Sequence, residues 1–268
     1  MTDDAGARPL RVVLATAPDD ALGGVFWRAY RDADGPPLAA VFAVAGKVRP
    51  RGPVWQRAAT PLLLCGVGGC LRLAAAAARL PRGRDRAAGL HLRREQAWPG
   101  TPEVHAVASL NASIEQLRAL RPDVLVSVGA PEIFRAAVLE VPRVAAVNVH
   151  NGRLPLYRGS FGTFWEMMEG EPAGYVSIHE MVPKVDAGRL LASFPVAMGP
   201  SSDFLDVMVE KKRRGGALLA ELLRQVEREG RLPAGMLGEG TPADRTGLFP
   251  MPAFTDVRAF ARRRRARA

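Results

Sequence analysis

Cysteine and histidine are scarce in this chain of 268 residues, which contains two cysteines and four histidines. The two cysteines, Cys65 and Cys70, cannot build a disulfide framework. No Cys/His cluster has the spacing of zinc ligands, so no metal is expected. The first ten residues are polar and acidic, whereas a secretory signal is basic and then apolar. These absences favour a cytoplasmic enzyme or binding protein.

The composition is that of an ordinary globular protein, with 48% hydrophobic and 24% charged residues. At ~150 residues per domain, the length predicts one or two domains. The net charge of +10 is concentrated at the end, because residues 258–268 carry six arginines and no acid. We interpret this run as a solvated basic tail. Contact with phosphate, nucleic acid or an anionic membrane is left open.

Short apolar runs alternate with helical patterns in the first 150 residues. Runs of this kind, bounded by turn residues, are typical of strands buried on both faces. Strand, helix and strand in succession predict an α/β fold with a mostly parallel sheet. The predicted strands are 11–17, 37–46, 105–110, 124–129 and 144–150, and the predicted helices are 111–120, capped by Asn111, and 131–140, opened by Pro131.

The pattern changes after residue 150. A short helix is predicted at 161–170, two strands at 175–182 and 189–198, and a long helix at 203–229 that Gly215 and Gly216 weaken. Residues 230–268 are predicted to form an extended basic tail with little core of its own.

Residues 61–80 are mostly apolar and long enough to cross a bilayer. Arg72, Arg79 and three glycines argue against a transmembrane span, because a central arginine is costly in a membrane. A soluble helix or lid is favoured. An interfacial helix formed with the basic stretch 81–94, and so peripheral membrane contact, stays open.

Asn148 and His150 lie two residues apart at the end of a predicted strand, so both side chains face the same side. The carboxyl ends of parallel strands are where α/β proteins bind ligands. An amide and an imidazole there suit stabilisation of a developing oxyanion. Asp186, in a later loop before Gly188, offers a carboxylate that raises imidazole basicity and relays a proton.

Four motifs carry a family resemblance: P-D-V-L-V-S-V-G at 122–129, N-V-H-N-G-R-L-P-L-Y-R-G at 148–159, V-S-I-H-E-M at 176–181 and V-D-A-G-R-L-L at 185–191. Together they resemble the folate-dependent formyltransferase family, which includes enzymes acting on glycinamide ribonucleotide, methionyl-tRNA and nucleotide sugars. The resemblance implies a Rossmann-like sheet with helices on both faces. It also implies 10-formyltetrahydrofolate as the formyl donor and no metal.

The resemblance assigns catalytic roles to three residues: Asn148 and His150 would hold the formyl oxygen, and Asp186 would assist proton transfer. The folate is expected to bind largely through backbone groups of Pro131, Glu132, Ile133, Phe134, Val182, Pro183, Lys184 and Val185. The polar residues of the loop after His150 are expected to bind the acceptor: Asn151, Arg153, Tyr157 and Arg158. His179 is interpreted as structural.

We expect a catalytic domain at 1–229, with a helical insertion at about 50–100, and a basic tail at 230–268. The first strand runs into 15–24, which lacks the glycine-serine phosphate loop of the purine enzymes. A small-molecule amine is therefore the favoured acceptor, either an amino sugar on a nucleotide or a modified amino acid. Residues 230–268 are short and basic compared with the C-terminal barrel of methionyl-tRNA enzymes, which disfavours nucleic acid. A methionyl-tRNA formyltransferase-like enzyme and a non-catalytic membrane-peripheral protein remain alternatives, and the oligomeric state is open.

Overall fold

The computed structural model describes residues 9–18, 22–46, 53–78, 82–85, 90–93, 98–199, 202–235 and 247–267. The strands are β1 Val12–Thr16, β2 Leu38–Val44, β3 Arg82–Asp85, β4 Leu90–Arg93, β5 Glu103–Val107, β6 Val124–Val128, β7 Ala145–His150, β8 Tyr157–Gly159, β9 Ala173–Glu180, β10 Leu190–Ala197 and β11 Gly247–Phe249. The helices are α1 Gly23–Asp32, α2 Val54–Ala78, α3 Ile114–Ala119, α4 Ala136–Leu139, α5 Gly162–Glu169, α6 Phe204–Glu229 and α7 Phe254–Arg267.

A seven-stranded sheet forms the centre, in the order β10-β9-β7-β6-β1-β2-β5. The five strands from β7 to β5 pair in parallel, whereas β9 and β10 run antiparallel at the other edge. The predicted mostly parallel α/β sheet is confirmed.

Helices cover both faces of this sheet, as the side chains of β1 illustrate. Val12 and Leu14 pack with α1 and α6 on one face, whereas Val13 and Ala15 pack with α3 and α4 on the other. Alternate side chains of a strand point to opposite faces of the sheet. Because both faces are buried here, every residue of β1 is apolar or buried, which explains its continuous apolar run.

Helix α6 is continuous through its two glycines and is not broken there. Gly216 lies where α6 crosses α1, and a Cβ atom at this position would come within 2.2 Å of the Phe26 carbonyl oxygen. The glycine allows the two helices to approach closely, which offsets its low helix propensity.

The C-terminal residues pack onto the domain, so the predicted extended tail is wrong for residues 247–267. Strand β11 pairs in parallel with β8. In α7, Val257 and Phe260 are buried in a third apolar cluster with Phe164 of α5 and Phe204 of α6. The arginine run therefore belongs to a helix whose other face is apolar. Residues 236–246 of the predicted tail lie outside the described residues.

The predicted helical insertion at about 50–100 contains α2, followed by an antiparallel pair of strands, β3 and β4. Helix α2 has a kink at Gly66, which has φ +66°. Its window Val54–Ala75 is long and apolar enough to cross a membrane by length and composition, which alone does not establish a span. Residues 50–52, 79–81, 86–89 and 94–97 of this segment lie outside the described residues.

Candidate active site

Strand β7 ends in the centre of the site. It pairs with β6 on one side and with β9 on the other, and the antiparallel register sets Asn148 opposite His179. The loop between β9 and β10 then returns Asp186 to the same edge. Side chains from two strands and a loop thus meet where the parallel strands end, as expected for a ligand site in an α/β fold.

Four polar side chains converge there. The Asp186 carboxylate lies between two imidazoles, with Oδ2 at 3.6 Å from His150 Nδ1 and Oδ1 at 3.3 Å from His179 Nε2. Asn148 Nδ2 lies 3.1 Å from the same His179 nitrogen. The structure therefore brings Asn148, His150 and Asp186 together and adds His179 to them.

The proton of His150 is held on one nitrogen by the backbone. Nε2 of His150 lies 2.6 Å from the Tyr157 carbonyl oxygen, which only accepts, so Nε2 donates. In the neutral imidazole, Nδ1 is then unprotonated and faces Asp186. His150 can donate from Nδ1 to a ligand oxygen only after it has taken up a second proton.

Burial and charge set the protonation of the pair. Burial lowers the pKa of His150 below its ordinary 6.5, although the Asp186 carboxylate raises it in part. Burial also raises the pKa of the Asp186 carboxyl, but the hydrogen bond from His179 and the charge of His150 outweigh it, and the pKa ends below the ordinary 3.8. Near neutral pH the site therefore holds an ionised Asp186 and a neutral His150 that can accept a proton.

His179 can exist in two hydrogen-bonding states. Its Nδ1 lies 2.8 Å from the Glu180 carbonyl oxygen and therefore donates to it. When the ring is neutral, Nε2 accepts from Asn148; when it is protonated, Nε2 donates to Asp186. The interpretation of His179 as merely structural does not account for these contacts. The signal in the sequence was its place on a strand that pairs with the Asn148 strand, and that pairing could not be read from the chain alone.

The backbone around Asp186 is held in an uncommon conformation. Asp186 has φ +46°, a left-handed conformation that Asp tolerates better than most side chains. The Gly159 N–H donates to Asp186 Oδ2 at 2.7 Å. A Cβ atom on Gly188 would come within 1.8 Å of the Glu180 carbonyl oxygen, which explains the glycine two residues later.

The residues expected to bind the acceptor divide into two groups. Tyr157 is buried, and its hydroxyl oxygen lies 2.7 Å from a Glu169 carboxylate oxygen and 2.8 Å from one of Glu171, so its proton is engaged within the protein. Contact of this side chain with substrate stays a prediction. Arg158 donates from Nε and Nη2 to the Val185 carbonyl oxygen, at 2.9 and 2.5 Å. These hydrogen bonds fix the position of Val185, the residue before Asp186.

Asn151 and Arg153 are the other two predicted acceptor residues. Both are half-buried in the loop that follows His150. The Arg153 guanidinium lies 4.9 Å from the centre of the Tyr175 ring, a cation–π distance. A role for either residue in acceptor binding stays a prediction.

The turn after β6 differs from its prediction. The helix predicted at 131–140 is limited to α4, residues Ala136–Leu139. Asn111 does not cap a helix, since α3 begins later; instead its side chain donates to the Ile133 carbonyl at 2.9 Å and accepts from the Arg135 N–H at 2.8 Å. The Glu132 carboxylate also accepts from the Leu110 N–H at 2.7 Å, so polar contacts hold this turn in place of helical hydrogen bonds.

Two segments predicted to bind folate lie beside Asp186 and after β6. Glu132 is engaged within the protein and Phe134 is buried in the core, so both offer a ligand only backbone groups. Ile133 and Val182 expose apolar side chains, and Lys184, two residues after Val182, is also exposed. Exposed apolar groups with adjacent backbone donors and acceptors are the chemistry that an aromatic heterocycle such as a pterin requires.

Within the described residues, no group of three or more His, Cys, Asp and Glu side chains is arranged to hold a metal ion. A cleft of about 570 Å³ lies away from the site, between β10 and the first turns of α6, and Phe194, Asp203 and Arg214 are among its lining residues.

A buried ion pair under the loop after His150 was missed by the sequence reasoning. Glu166 of α5 and Lys211 of α6 are both fully buried and bonded to each other. Glu166 also accepts from the Arg153 N–H at 2.8 Å and the Tyr175 N–H at 3.1 Å. No motif marks the pair, because its residues are far apart in the chain and lie in helical patterns that read as solvent-facing.

The fold and site together define an α/β protein with a polar ligand site at the carboxyl edge of its sheet. Residues 92–221 match the formyl transferase family model. This region, which is just under half of the chain, is similar to that family.

Relatives of curated function cover part of the chain. Over 115 residues it is 38% identical to the methionyl-tRNA formyltransferase of Chloroflexus aggregans, a match that covers 43% of this chain and 37% of that protein. The methionyl-tRNA formyltransferase of Citrifermentans bemidjiense is 32% identical over 130 residues, or 48% of this chain and 41% of that protein. The chain thus spans about two fifths of the length of these relatives.

Solved structures share the fold over more of the chain. Phosphoribosylglycinamide formyltransferase from Bacillus halodurans has a TM-score of 0.54 at 13% identity, covering 82% of this chain and 96% of that chain. A sugar N-formyltransferase from a Shewanella species has a TM-score of 0.53 at 12% identity, and the match covers 90% of this chain and 77% of that chain. At these identities the likeness concerns the fold.

Proposed function

We propose that this protein is an N-formyltransferase that moves a formyl group from 10-formyltetrahydrofolate to an amine of a small molecule. The observation that carries the proposal is the convergence of Asn148, His150 and Asp186, with His179, at the carboxyl edge of the sheet. The family match over residues 92–221 supports formyl transfer as the reaction class.

The donor, when bound, would supply an electrophilic formyl carbon. A C–N bond to the acceptor amine forms as the C–N bond to tetrahydrofolate breaks, so the amine loses one proton and the leaving nitrogen of tetrahydrofolate takes one up. Asn148 presents an amide that donates to an oxygen gaining negative charge. Ionised Asp186 and the unprotonated Nδ1 of His150 provide the proton acceptors. Once His150 is protonated, Nδ1 donates to an oxygen, and Asp186 stabilises the imidazolium.

Two segments, one after β6 and one directly before Asp186 in the chain, fit a folate. Exposed Ile133 and Val182 provide apolar contact, and the backbone of residues 131–134 and 182–185 provides donors and acceptors for a pterin ring. Exposed Lys184 suits an anionic group, such as the glutamate tail of a folate. We assign donor binding to these residues.

An amino sugar on a nucleotide or a modified amino acid is the acceptor class that we propose. The half-buried Asn151 and Arg153 lie in the loop after His150 and offer an amide and a cation for a polar or anionic acceptor. A protein described as a sugar N-formyltransferase shares the fold, and an amino sugar is one member of the proposed acceptor class.

Formylation of methionyl-tRNA is the second candidate. The relatives named methionyl-tRNA formyltransferase favour it, as do Arg258, Arg262 and Arg265, which are exposed on α7. Phosphate contacts release counterions, so binding of RNA through these arginines would weaken steeply with salt. The affinity for a small-molecule acceptor would change little with salt concentration.

The test is a direct assay of transfer. The purified protein is incubated with 10-formyltetrahydrofolate and a panel of nucleotide-linked amino sugars, amino acids and methionyl-tRNA, and tetrahydrofolate release and a formyl mass gain are followed together. We expect a formylated small amine and a loss of ~10²–10³ in rate for Asn148→Ala, the amount typical of a lost oxyanion donor. His150→Ala is expected to lose most of its turnover as well.

The matched control is His105→Gln, because His105 lies on β5, outside the site, and stacks on Phe42. It should retain the wild-type rate. Formylation of methionyl-tRNA alone would replace the proposed acceptor with the second candidate. Release of tetrahydrofolate at equal rates from wild type, Asn148→Ala and His150→Ala would overturn the site assignment.

A further inference from the structure

Helix α2 exposes a stripe of large apolar side chains. Val54, Trp55, Leu62, Val67 and Leu71 are between 48% and 75% exposed. Val54, Trp55 and Leu62 precede the kink at Gly66, and Val67 and Leu71 follow it. We call these five residues the apolar stripe.

The stripe lies on a helix without acidic residues. Between residues 53 and 78 there is no Asp or Glu, and the charged residues are Arg57 and Arg72. Only 17% of its apolar window is buried within the structure. An exposed apolar surface of this kind marks an interaction site, since isolated proteins seldom leave several large apolar side chains in contact with water.

Other residues of α2 dock the helix on the protein. Leu64 and Cys65 are buried with Phe204 and Phe260, and Arg72 pairs with Asp206 of α6 at 2.6 Å. Helix α2 is therefore held against the domain and presents the stripe outward. This arrangement fits a helix that lies on a surface, since a spanning helix would have to leave these contacts.

Arginines line the neighbouring helix. The Trp55 and Phe254 rings lie 5.2 Å apart, and Arg264 Nη1 donates to the Leu64 carbonyl at 2.5 Å. Both contacts advance along α2 and α7 in the same direction, so the two helices run side by side in parallel. The exposed Arg258, Arg262 and Arg265 of α7 therefore flank the helix that carries the stripe.

We propose that α2 and α7 together form a docking surface for an anionic lipid membrane, with the apolar stripe entering the headgroup region. Apolar side chains, an exposed tryptophan and adjacent arginines are the combination that binds such interfaces. The basic flank selects anionic lipid, and the stripe anchors the helix in the plane of the membrane.

The arrangement favours lipid over two other occupants. RNA bound by the arginines would leave the stripe exposed to water, whereas a membrane covers both. A second copy of the chain pairing through α2 would bring the arginines of two α7 helices towards each other, which like charges oppose. The inference is independent of formyl transfer, because no residue of the docking surface lies in the proposed active site.

The experiment measures co-sedimentation of the whole chain with phosphatidylcholine vesicles and with vesicles that also contain phosphatidylglycerol. We expect binding to the second kind, with a blue shift of Trp55 fluorescence that Trp55→Phe removes. The triple variant Leu62→Ser, Val67→Ser, Leu71→Ser should lose binding. Its changes are on exposed positions, so circular dichroism and thermal unfolding should match the wild type.

A second triple variant, Arg258→Gln, Arg262→Gln, Arg265→Gln, should weaken binding by about fivefold per arginine, the amount expected for ~1 kcal/mol per basic residue at an anionic surface. The matched control removes the same charge elsewhere: Arg31→Gln, Arg118→Gln, Arg228→Gln, all exposed on other helices. It should bind nearly as the wild type does. Absence of vesicle binding would overturn the proposal, as would a dimer that the serine variant dissociates, or tRNA binding lost with the α7 arginines without any lipid binding.

Discussion

Glu166 and Lys211 form an ion pair in which neither side chain is exposed to solvent. The pair joins α5 to α6, and Lys211 also donates to the Thr163 hydroxyl at 3.0 Å. Through its bond to the Arg153 N–H, Glu166 fixes the loop that follows His150. A charge pair without contact with water therefore supports one wall of the candidate active site.

Lys211→Met should destabilise the protein strongly, because it leaves the Glu166 carboxylate buried and unpaired. Removal of one partner of a buried pair costs about 3–5 kcal/mol. The double variant Lys211→Met, Glu166→Gln should recover much of that loss, since an amide oxygen still accepts from the backbone and no charge remains. Urea unfolding of the three proteins gives the comparison. A single variant within about 0.5 kcal/mol of the wild type would contradict this account.

The imidazole of His150 should titrate below the ordinary histidine pKa of 6.5, because burial opposes its charged form. The neighbouring carboxylate raises this pKa in part, so Asp186→Asn should lower it further. The unfolded chain then binds more protons than the native state below pH 6.5, and this residue lowers stability as the pH falls. NMR titration of the His150 ring in the wild type and in Asp186→Asn checks both expected pKa shifts. A midpoint at or above 6.5 in the wild type would refute the buried, neutral His150.

Arg158→Met should lower kcat more than it raises KM for the acceptor. The reason is that Arg158 donates to the Val185 carbonyl and so positions the backbone next to Asp186. The matched change Arg153→Met removes a guanidinium that stacks on Tyr175 and has no such bond to that loop. Steady-state kinetics of both variants give the changes in kcat and KM separately. An increase in KM alone for Arg158→Met would assign the residue to acceptor binding instead.

Phe260→Ala should reveal how far α7 contributes to the domain. Its ring is 2% exposed and packs on Phe164 of α5 and Phe204 of α6. Truncation of a buried phenylalanine costs about 3–5 kcal/mol. Thermal unfolding should therefore shift by many degrees, whereas Arg262→Ala, on the exposed face of the same helix, should leave it almost unchanged. Equal melting temperatures would mean that α7 detaches without consequence.

The parallel half of the fold could be predicted from the sequence, because strands such as β1 and β6 are continuous apolar runs with helical patterns between them. The C-terminal helix α7 could not be predicted from the sequence. Its arginines dominate the pattern, and the apolar contacts of Val257 and Phe260 depend on partners far away in the chain.

The site shows the same division. Asn148 and His150 are two residues apart on one strand, so their shared location could be read directly from the sequence. Asp186 had to be inferred from a motif, because a loop returns it to the edge of the sheet. His179 escaped the prediction because its role arises from the antiparallel register of β7 and β9, a contact across strands that local sequence does not encode.

The most direct test of the central claim is the rate of tetrahydrofolate release from 10-formyltetrahydrofolate, with an accepted amine present, for the wild type and Asp186→Asn. We expect the variant to fold and to bind the donor normally, yet to lose about 10²–10⁴ in rate, the usual contribution of a positioned proton acceptor. A variant that releases tetrahydrofolate as fast as the wild type would contradict the proposed role of the cluster.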